Sequence, residues 1–155
     1  MIIRHFNPKD LAQVLELCKE VRNHHIDILN GYFTEQNDYY EQMGFNESLN
    51  GDKMIALVAE ENDIIYGYIL AERKLKPYLV APKVMHICNF GVSKTSQGLG
   101  IGKKLMDEII KICQQENFDE ISLGVYNKNT IAYKFYEKYG FTPIEQKMHL
   151  IPKKK

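Results

Sequence analysis

Hydrophobic residues in the first part of the chain recur with spacings that predict a strand followed by a helix. Ile2-Ile3-Arg4 predicts a short strand. Asn7 and Pro8 predict a helix start, because Asn caps helices and Pro suits the first helical position. Residues 23–52 are less regular and predict a second short helix among loops. The first helix is predicted from one apolar stripe with spacings of three and four: Leu11, Val14, Leu15, Cys18 and Val21.

The middle of the chain contains runs typical of strands. Met54–Glu60 and Ile64–Glu72 flank a short polar segment, which predicts an antiparallel hairpin. Val84–Val92 is apolar on both faces and predicts a central strand. Counting alternate residues along it places four side chains on one side: His86, Cys88, Phe90 and Val92.

Helices and strands alternate in the rest of the chain. The pattern predicts a helix from about Gly100 to Glu116, a strand over Ile121–Val125, and a last helix over Asn127–Tyr139. Closing strands are predicted from Phe141 and over Met148–Ile151. The order predicts a single α/β (α+β) domain over residues 1–155, with a mixed central sheet of about six or seven strands.

Composition narrows the classes of partner. The chain has 155 residues, 45% hydrophobic and 26% charged, with 20 basic and 20 acidic residues. This balance argues against nucleic acid or an anionic membrane as a partner. No apolar run approaches the ~20 residues of a spanning helix, and the first residues lack a signal-peptide pattern, so we expect a cytoplasmic location.

The metal-ligating residue types are not spaced as a metal site requires. Cys18, Cys88 and Cys113 are far apart in apolar surroundings, which predicts buried, reduced thiols. His24 and His25 are adjacent, so on a helix they point in different directions and cannot chelate as a pair one turn apart would. We therefore expect no metal.

A glycine-rich segment follows the central strand, at the predicted start of the next helix. It reads Gln97-Gly98-Leu99-Gly100-Ile101-Gly102-Lys103. Exposed amides at a helix start can hold a phosphate, whereas the plainer alternative is a turn that lets strand and helix pack closely. The spacing does not fit a Walker A loop, since Lys104 stands where Ser or Thr is needed, nor a dinucleotide fingerprint, which needs glycine at Lys103.

Two motifs in order resemble the GNAT superfamily of N-acetyltransferases. The first is Gln97-x-x-Gly100-x-Gly102, and the second runs from Asn129-Thr130-Ile131-Ala132 to Phe135-Tyr136-Glu137-Lys138-Tyr139-Gly140-Phe141. The resemblance is specific over Val84 to Phe141. It implies a GNAT-like domain with helices on both faces of the sheet and a splay between the fourth and fifth strands. It also implies acetyl-CoA as co-substrate.

The resemblance also implies roles for individual residues. Phe90 and Val92 would offer backbone groups to the pantetheine arm, although the Phe90 side chain equally suits the core. Tyr136 occupies the family's general-acid position, where a hydroxyl protonates the sulfur of coenzyme A. Asn129 would contact the cofactor, or simply cap its helix. The residues implied to hold the pyrophosphate are Gln97, Gly98, Leu99, Gly100, Ile101 and Gly102, with charge from Lys103 nearby.

The general base is a point of departure from the family. An amine with a pKa of about 10.4 must lose a proton before it attacks. Many members use a glutamate on the fourth strand, but this strand has none. His86 has a suitable pKa, yet a strand histidine is often structural. Glu72 and water are the other candidates.

The acceptor is expected to be a primary amine. The segment 23–52, which in the family forms part of the acceptor pocket, carries aromatics and acidic residues without Lys or Arg, which favours a cationic amine or else a solvated acidic surface. His24 and His25 are further candidate contacts, and a homodimer is compatible with the sequence. The main alternatives to an enzyme are a non-catalytic acyl-CoA sensor and a nucleotide-binding protein. The acidic residues of the segment 23–52 are Asp27, Glu35, Asp38, Glu41, Glu47 and Asp52.

Overall fold

The computed structural model describes residues 1–30, 32–33 and 37–153. Its contacts divide the chain into two compact units, Met1–Gly124 and Val125–Lys155, and the prediction of one domain stays a prediction. The first unit contains β1 (Ile2–His5), a 3-10 turn (Pro8–Asp10), α1 (Leu11–Leu29), α2 (Tyr39–Asn50), β2 (Met54–Glu61), β3 (Ile64–Leu75), β4 (Lys83–Val92), a second 3-10 turn (Lys94–Ser96), α3 (Ile101–Gln115) and β5 (Glu120–Leu123). The second unit contains α4 (Thr130–Lys138).

The start of α1 is held by the residues that the sequence indicates. Asn7 Oδ1 accepts the amide of Lys9 at 3.2 Å, and the Asp10 carboxylate accepts the amide of Asn7 at 2.8 Å. Arg4 of β1 donates two hydrogen bonds to the same carboxylate, at 2.7 and 2.9 Å. Asp10 is buried, so both of its oxygens need these donors. The bonds therefore tie β1 to the beginning of α1.

The sheet has five strands in the order β1-β2-β3-β4-β5. The first four are antiparallel neighbours, which confirms the predicted hairpin, and β5 runs parallel to β4. The prediction of six or seven strands is wrong for the described residues, because no strand follows Phe141. Pro143 lies in the first segment predicted as a closing strand and Pro152 directly follows the second, and a proline nitrogen cannot donate to a ladder.

Helices cover both faces of the sheet, as the resemblance implies. On one face, Val14 and Cys18 of α1 and Phe45 of α2 form a core with Tyr68 and Leu70 of β3. On the other face lies α3, since a side chain at Gly67 would contact Leu105 and Ile101 of that helix. The buried residues of α3 repeat with helical spacing: Ile101, Leu105, Met106, Ile109 and Cys113.

A bulge in β4 changes which side chains share a face. Ile87 lies opposite Ala71 and Asn89 lies opposite Leu70, so Cys88 is an extra residue with no partner of its own on β3. Even-numbered residues therefore face α1 and α2 before the bulge, whereas odd-numbered residues face them after it. The prediction that His86, Cys88, Phe90 and Val92 share one side is wrong. His86, opposite Glu72, lies on the face of α1 and α2, whereas Phe90 and Val92, opposite Ile69 and Gly67, lie on the face of α3.

The structure shows the exposure of the three cysteines, the grouping of metal-ligating side chains and the apolarity of the helices. Cys18 and Cys113 are buried thiols, as predicted, but Cys88 is exposed, since it lies at the bulge. In the described part of the chain, no three or more His, Cys, Asp or Glu side chains are grouped so that they could hold a metal ion. None of the helices in residues 1–30, 32–33 and 37–153 has both the length and the apolarity to cross a membrane.

Candidate functional site: the amino end of α3

The glycine turn after β4 adopts backbone conformations that favour glycine. Gly98 has φ +83° and Gly100 has φ +78°, and both are in the left-handed region. A side chain added at either position would meet nothing within 4 Å among the described residues. Close packing of strand against helix therefore does not explain these glycines, because the space around them is open. Their conformation turns the chain into α3 and leaves its backbone accessible.

The amino end of α3 carries no group that compensates its positive pole. Gly100 is the N-cap residue and provides no side-chain hydrogen bond, and the first turn contains no acidic residue. Lys104 donates its amide to the carbonyl of Gly100 at 3.1 Å. The amides of Ile101 and Gly102 come earlier in the helix, so helix geometry provides them with no acceptor. An anion at this end would meet several N–H donors and a favourable dipole.

The side chains of the turn have separate tasks. Ile101 is buried and anchors the turn in the core, while Leu99 and Gln97 are exposed. The Lys103 ammonium donates to Asp107 one turn later at 2.6 Å, so its charge is partly balanced on the exposed face of α3. Glu20 of α1 accepts the amide of Lys94 at 2.9 Å and so holds the segment that leads into the turn.

The ladder between β4 and β5 covers only the first half of β4. Its parallel pairs run from Val84–Glu120 to Ile87–Leu123. Beyond Ile87, β4 continues through the bulge at Cys88 to Val92. Bulges leave a residue outside the regular ladder and are common next to active sites. The predicted residues Phe90 and Val92 lie in this second half of β4, directly before the glycine turn.

His86 lies on the first half of β4 and has a defined partner. Its Nδ1 lies 2.9 Å from the Oγ of Ser122 on β5. In the tautomer whose Nδ1–H donates to Ser122, Nε2 is the proton acceptor. Burial lowers the pKa of His86, and the positive charges of Lys74 and Lys76 lower it further, so the imidazole is neutral at pH 7. A neutral imidazole is the form that a base requires.

Glu72, the other predicted base, is held by two ammonium groups. Lys53 lies 3.2 Å and Lys74 3.0 Å from its carboxylate oxygens. Burial raises the pKa of Glu72, but the hydrogen bonds and charges of Lys74 and Lys53 outweigh it, and the net pKa is lowered. The pKa of both groups is lowered, but the ordinary pKa of a His side chain, about 6.5, exceeds that of a Glu side chain, about 4.3, so His86 is the stronger base of the two.

Asn129 and Tyr136 belong to the second compact unit and are described within it. Asn129 is the N-cap of α4, and its Oδ1 accepts the amide of Ala132 at 3.3 Å, so the capping alternative is confirmed. The ring of Tyr136 packs against Phe135 and Phe141, with centroids 5.5 and 5.7 Å away. Burial raises the pKa of Tyr136 to about 12, so its hydroxyl keeps its proton at neutral pH and can act as an acid.

The acidic segment after α1 is less negative than the sequence indicates. Arg22 of α1 donates to the carboxylates of Asp38 and Glu41, the latter at 3.2 Å, and to the carbonyl of Asn37 at 3.1 Å. These bonds join α1 to the beginning of α2 and neutralise two of the predicted acidic residues. Arg22 lies one residue before the segment 23–52, so the charge of that segment taken alone does not include it.

The other members of this segment have different positions. Glu47 lines a cavity of about 660 Å³ along α2, together with Tyr39, Met43 and Lys53. Asp27 is on α1, and Asp52 follows α2. Glu35 is outside the described residues. His24 and His25 lie side by side on α1, and burial and the neighbouring His24 lower the pKa of His25.

Residues that sequence reasoning missed lie around the bulge. Tyr68 donates its hydroxyl to Asn89 Oδ1 at 2.8 Å, and Ser122 contacts His86. An Asn within an apolar strand was the available signal for the first contact. The second contact depends on the pairing of β4 with β5, for which the sequence contains no local signal.

Comparisons with known proteins agree with this arrangement. The zebrafish (Danio rerio) N-alpha-acetyltransferase 50 is 33% identical over 94 residues, which cover 60% of this chain and 54% of that protein. This chain thus spans about half the length of that relative. The 5-NmdU N-acetyltransferase of Pseudomonas phage PaMx11 is 25% identical over 142 residues, which cover 92% of this chain and 87% of that protein.

Solved structures share the fold over nearly the whole chain. A mutant of the BH1408 protein from Bacillus halodurans is 28% identical with a TM-score of 0.88, covering 98% of this chain and 99% of that one. The aminoglycoside acetyltransferase AAC(6')-Iy, solved with the bisubstrate analog CoA-S-monomethyl-acetylneamine, has a TM-score of 0.72 at 17% identity, covering 98% of this chain and 97% of that one. This second likeness shows the fold alone.

The sequence profile of the Acetyltransferase (GNAT) family matches residues 12–141. This range includes β4, the glycine turn, α3 and α4. The matched range extends over most of the chain and contains both motifs in their expected order. The chain therefore belongs to the Acetyltransferase (GNAT) family.

Proposed function

We propose that this protein transfers the acetyl group of acetyl-CoA to a primary amine by direct attack in a ternary complex. The observation that carries the proposal is the amino end of α3, which begins at Gly100 with no capping side chain and no acidic residue. The open space at Gly98 and Gly100 lets an anion approach these amides. A diphosphate such as that of coenzyme A suits this set of donors.

The second half of β4 would hold the rest of the cofactor. When bound, acetyl-CoA supplies the acetyl group as a reactive thioester. The amides of residues 97–102 bind its pyrophosphate, and the backbone of Phe90 and Val92 binds the pantetheine arm in the manner of an added strand. The end of the β4–β5 ladder at Ile87 supports this role, because it agrees with a splay between these strands.

Two residues would move the protons. His86 takes the proton of the attacking amine, and its lowered pKa keeps it in the neutral form that this step needs. Tyr136 donates its hydroxyl proton to the sulfur as the carbon–sulfur bond breaks and the carbon–nitrogen bond forms. Since His86 is on the face of α1 and α2, the amine approaches from that face. Asn129 caps α4, and its contact with the cofactor stays a prediction.

The acceptor is proposed to be a primary amine. The names of the zebrafish and phage relatives are those of N-acetyltransferases, which supports an amine. Arg22 neutralises Asp38 and Glu41, so this segment attracts a cationic acceptor less strongly than its acidic residues alone would. A panel of neutral, cationic and peptidyl amines is therefore the appropriate choice.

The experiment follows free thiol while the purified protein is incubated with acetyl-CoA and each amine of the panel. Acetylated product by mass spectrometry together with thiol release is the expected result for at least one amine. Binding of acetyl-CoA without thiol release for any amine would favour the acyl-CoA sensor. Thermal protection by ATP or NAD, with none by coenzyme A, would overturn the proposal.

A further inference from the structure

The bulge in β4 decides which of its residues face each side of the sheet, so the contacts that stabilise the bulge matter for the site. Without the extra residue Cys88, the second half of β4 would shift by one position. A shift of one residue moves every following side chain to the opposite face. Phe90 would then turn towards α1, away from the α3 side on which it lies.

One polar contact lies directly after the bulge. Tyr68 of β3 is completely buried, and its hydroxyl donates to Asn89 Oδ1 at 2.8 Å. Burial raises the pKa of Tyr68 well above its usual value, so the hydroxyl remains a donor over the whole working range. The contact is diagonal across the two strands, because Asn89 is opposite Leu70 and Tyr68 is opposite Gly91.

The surroundings of Tyr68 leave it little freedom. Its ring packs against Phe45 of α2, with centroids 5.7 Å apart. A side chain at Gly91 would come within 2.8 Å of the Tyr68 ring and 2.7 Å of Val21 on α1. Tyr68 is thus fixed between two helices and β4, and it presents its hydroxyl at one defined place.

The bulged register brings the Tyr68 hydroxyl and the Asn89 side chain within hydrogen-bond distance. It places Gly91 where a side chain would clash with Val21 and Tyr68, and it turns the Asn89 amide inward to the buried Tyr68 hydroxyl. The shifted register would place Phe90 or Val92 against Tyr68 and leave the hydroxyl without Asn89. The hydroxyl would then be left with the Cys18 thiol, which is a weak acceptor, so the bond to Asn89 favours the bulged register.

We infer that Tyr68 and Asn89 are positioning residues for acetyl transfer: their hydrogen bond holds the β4 bulge, which keeps Phe90 and Val92 on the cofactor side and His86 on the acceptor side. The functional part of this inference rests on the proposed function. The structural part, that the pair sets the register of β4 after Ile87, does not depend on it.

Three variants separate positioning from stability. Tyr68→Phe removes only the hydroxyl, and Asn89→Leu removes the acceptor with little change in shape. The double variant removes both polar groups, and replacing both partners of a buried hydrogen bond with apolar groups is close to neutral for stability. We expect both single variants to melt at lower temperature and the double variant to melt near the wild type.

Hydrogen exchange and kinetics are then measured on all three folded variants. We expect the hydrogen-exchange rates of the backbone amides to rise about tenfold over residues 88–92 and to stay unchanged over residues 83–87. The double variant should show the same rise. In the amine assay we expect the KM for acetyl-CoA to rise about tenfold while the KM for the amine stays within about twofold.

Recovery of stability, exchange and kinetics together in the double variant would show a merely structural contact and overturn the inference. Unchanged exchange in the single variants would overturn it as well. If the wild type neither binds acetyl-CoA nor releases thiol, the proposed function and the functional part of the inference both fail. The exchange measurement still decides whether the pair sets the register.

Discussion

A charge placed at Gly100 tests the location of the diphosphate most directly. Gly100→Glu and Gly100→Gln have side chains of nearly the same size and differ by one negative charge. Both must adopt φ +78°, which costs a residue with a side chain about 1–2 kcal/mol, and both project into open space. Comparing the two variants therefore cancels strain and bulk and leaves the charge.

The charge has opposite effects on stability and on binding. Without ligand, a carboxylate at the uncapped start of α3 is expected to stabilise Gly100→Glu over Gly100→Gln by about 0.5 kcal/mol. At an effective dielectric constant of about 40, each phosphate charge about 6 Å away costs about 1.4 kcal/mol. Two such charges cost about 3 kcal/mol, so coenzyme A is expected to bind roughly a hundredfold more weakly to Gly100→Glu than to Gly100→Gln.

Isothermal titration with coenzyme A measures the two affinities, and thermal unfolding without ligand measures the two stabilities. The affinity difference should shrink at about 1 M salt, where the Debye length falls to about 3 Å. Equal affinities at low salt would refute the placement of the diphosphate at the amino end of α3. The expected pattern, in which the more stable variant binds less tightly, is not produced by unfolding.

Three further predictions concern proton transfer and the start of α1. Tyr136→Phe is expected to lower kcat about a hundredfold while the acetyl-CoA Kd, measured by titration, changes less than about twofold; an unchanged kcat would exclude the general-acid role. If His86 is the base, kcat/KM falls as the pH is lowered, with a pKa below 6.5. Lys76→Met should move this fall to higher pH, because it removes a positive charge that lowers the pKa of His86. A pH profile that His86→Gln leaves unchanged would exclude His86. Asp10→Asn is expected to cost about 2–3 kcal/mol of unfolding free energy at pH 7, because Arg4 and the Asn7 amide lose their shared carboxylate. Burial raises the pKa of Asp10, but these partners outweigh burial and the net pKa is lowered. The contribution of Asp10 to stability is therefore present above the unfolded pKa of 3.8 and is lost as the pH falls through the folded pKa. Urea unfolding curves of variant and wild type should converge in acid, and a constant difference would contradict this reasoning.

Features that depend on neighbours in the chain could be predicted from the sequence. The left-handed conformations at Gly98 and Gly100, the cap by Asn129 and the capping of the first turn by Asn7 are all set within a few residues. The alternation of strands and helices up to α4 was predictable for the same reason, since each element shows its own periodicity. The closing strands were predicted wrongly, because a strand requires a partner and short runs near Pro143 and Pro152 do not show whether one is present.

Features that depend on pairing between distant segments were not predictable. The alternation rule placed His86 and Phe90 together, but the bulge at Cys88 separates them, and it arises from the match of β4 with β3. The charge of residues 23–52 taken alone omits Arg22, which reaches Asp38 and Glu41 from α1.

The sequence by itself determined the order of elements, the glycine turn and the family motifs, because these are encoded by residues close together in the chain. Only the tertiary structure decided the faces of β4, the partner of His86 and the contact between Tyr68 and Asn89. The physical reason is that strand register is chosen by the sum of contacts across the sheet, and one extra residue reverses every side chain that follows it.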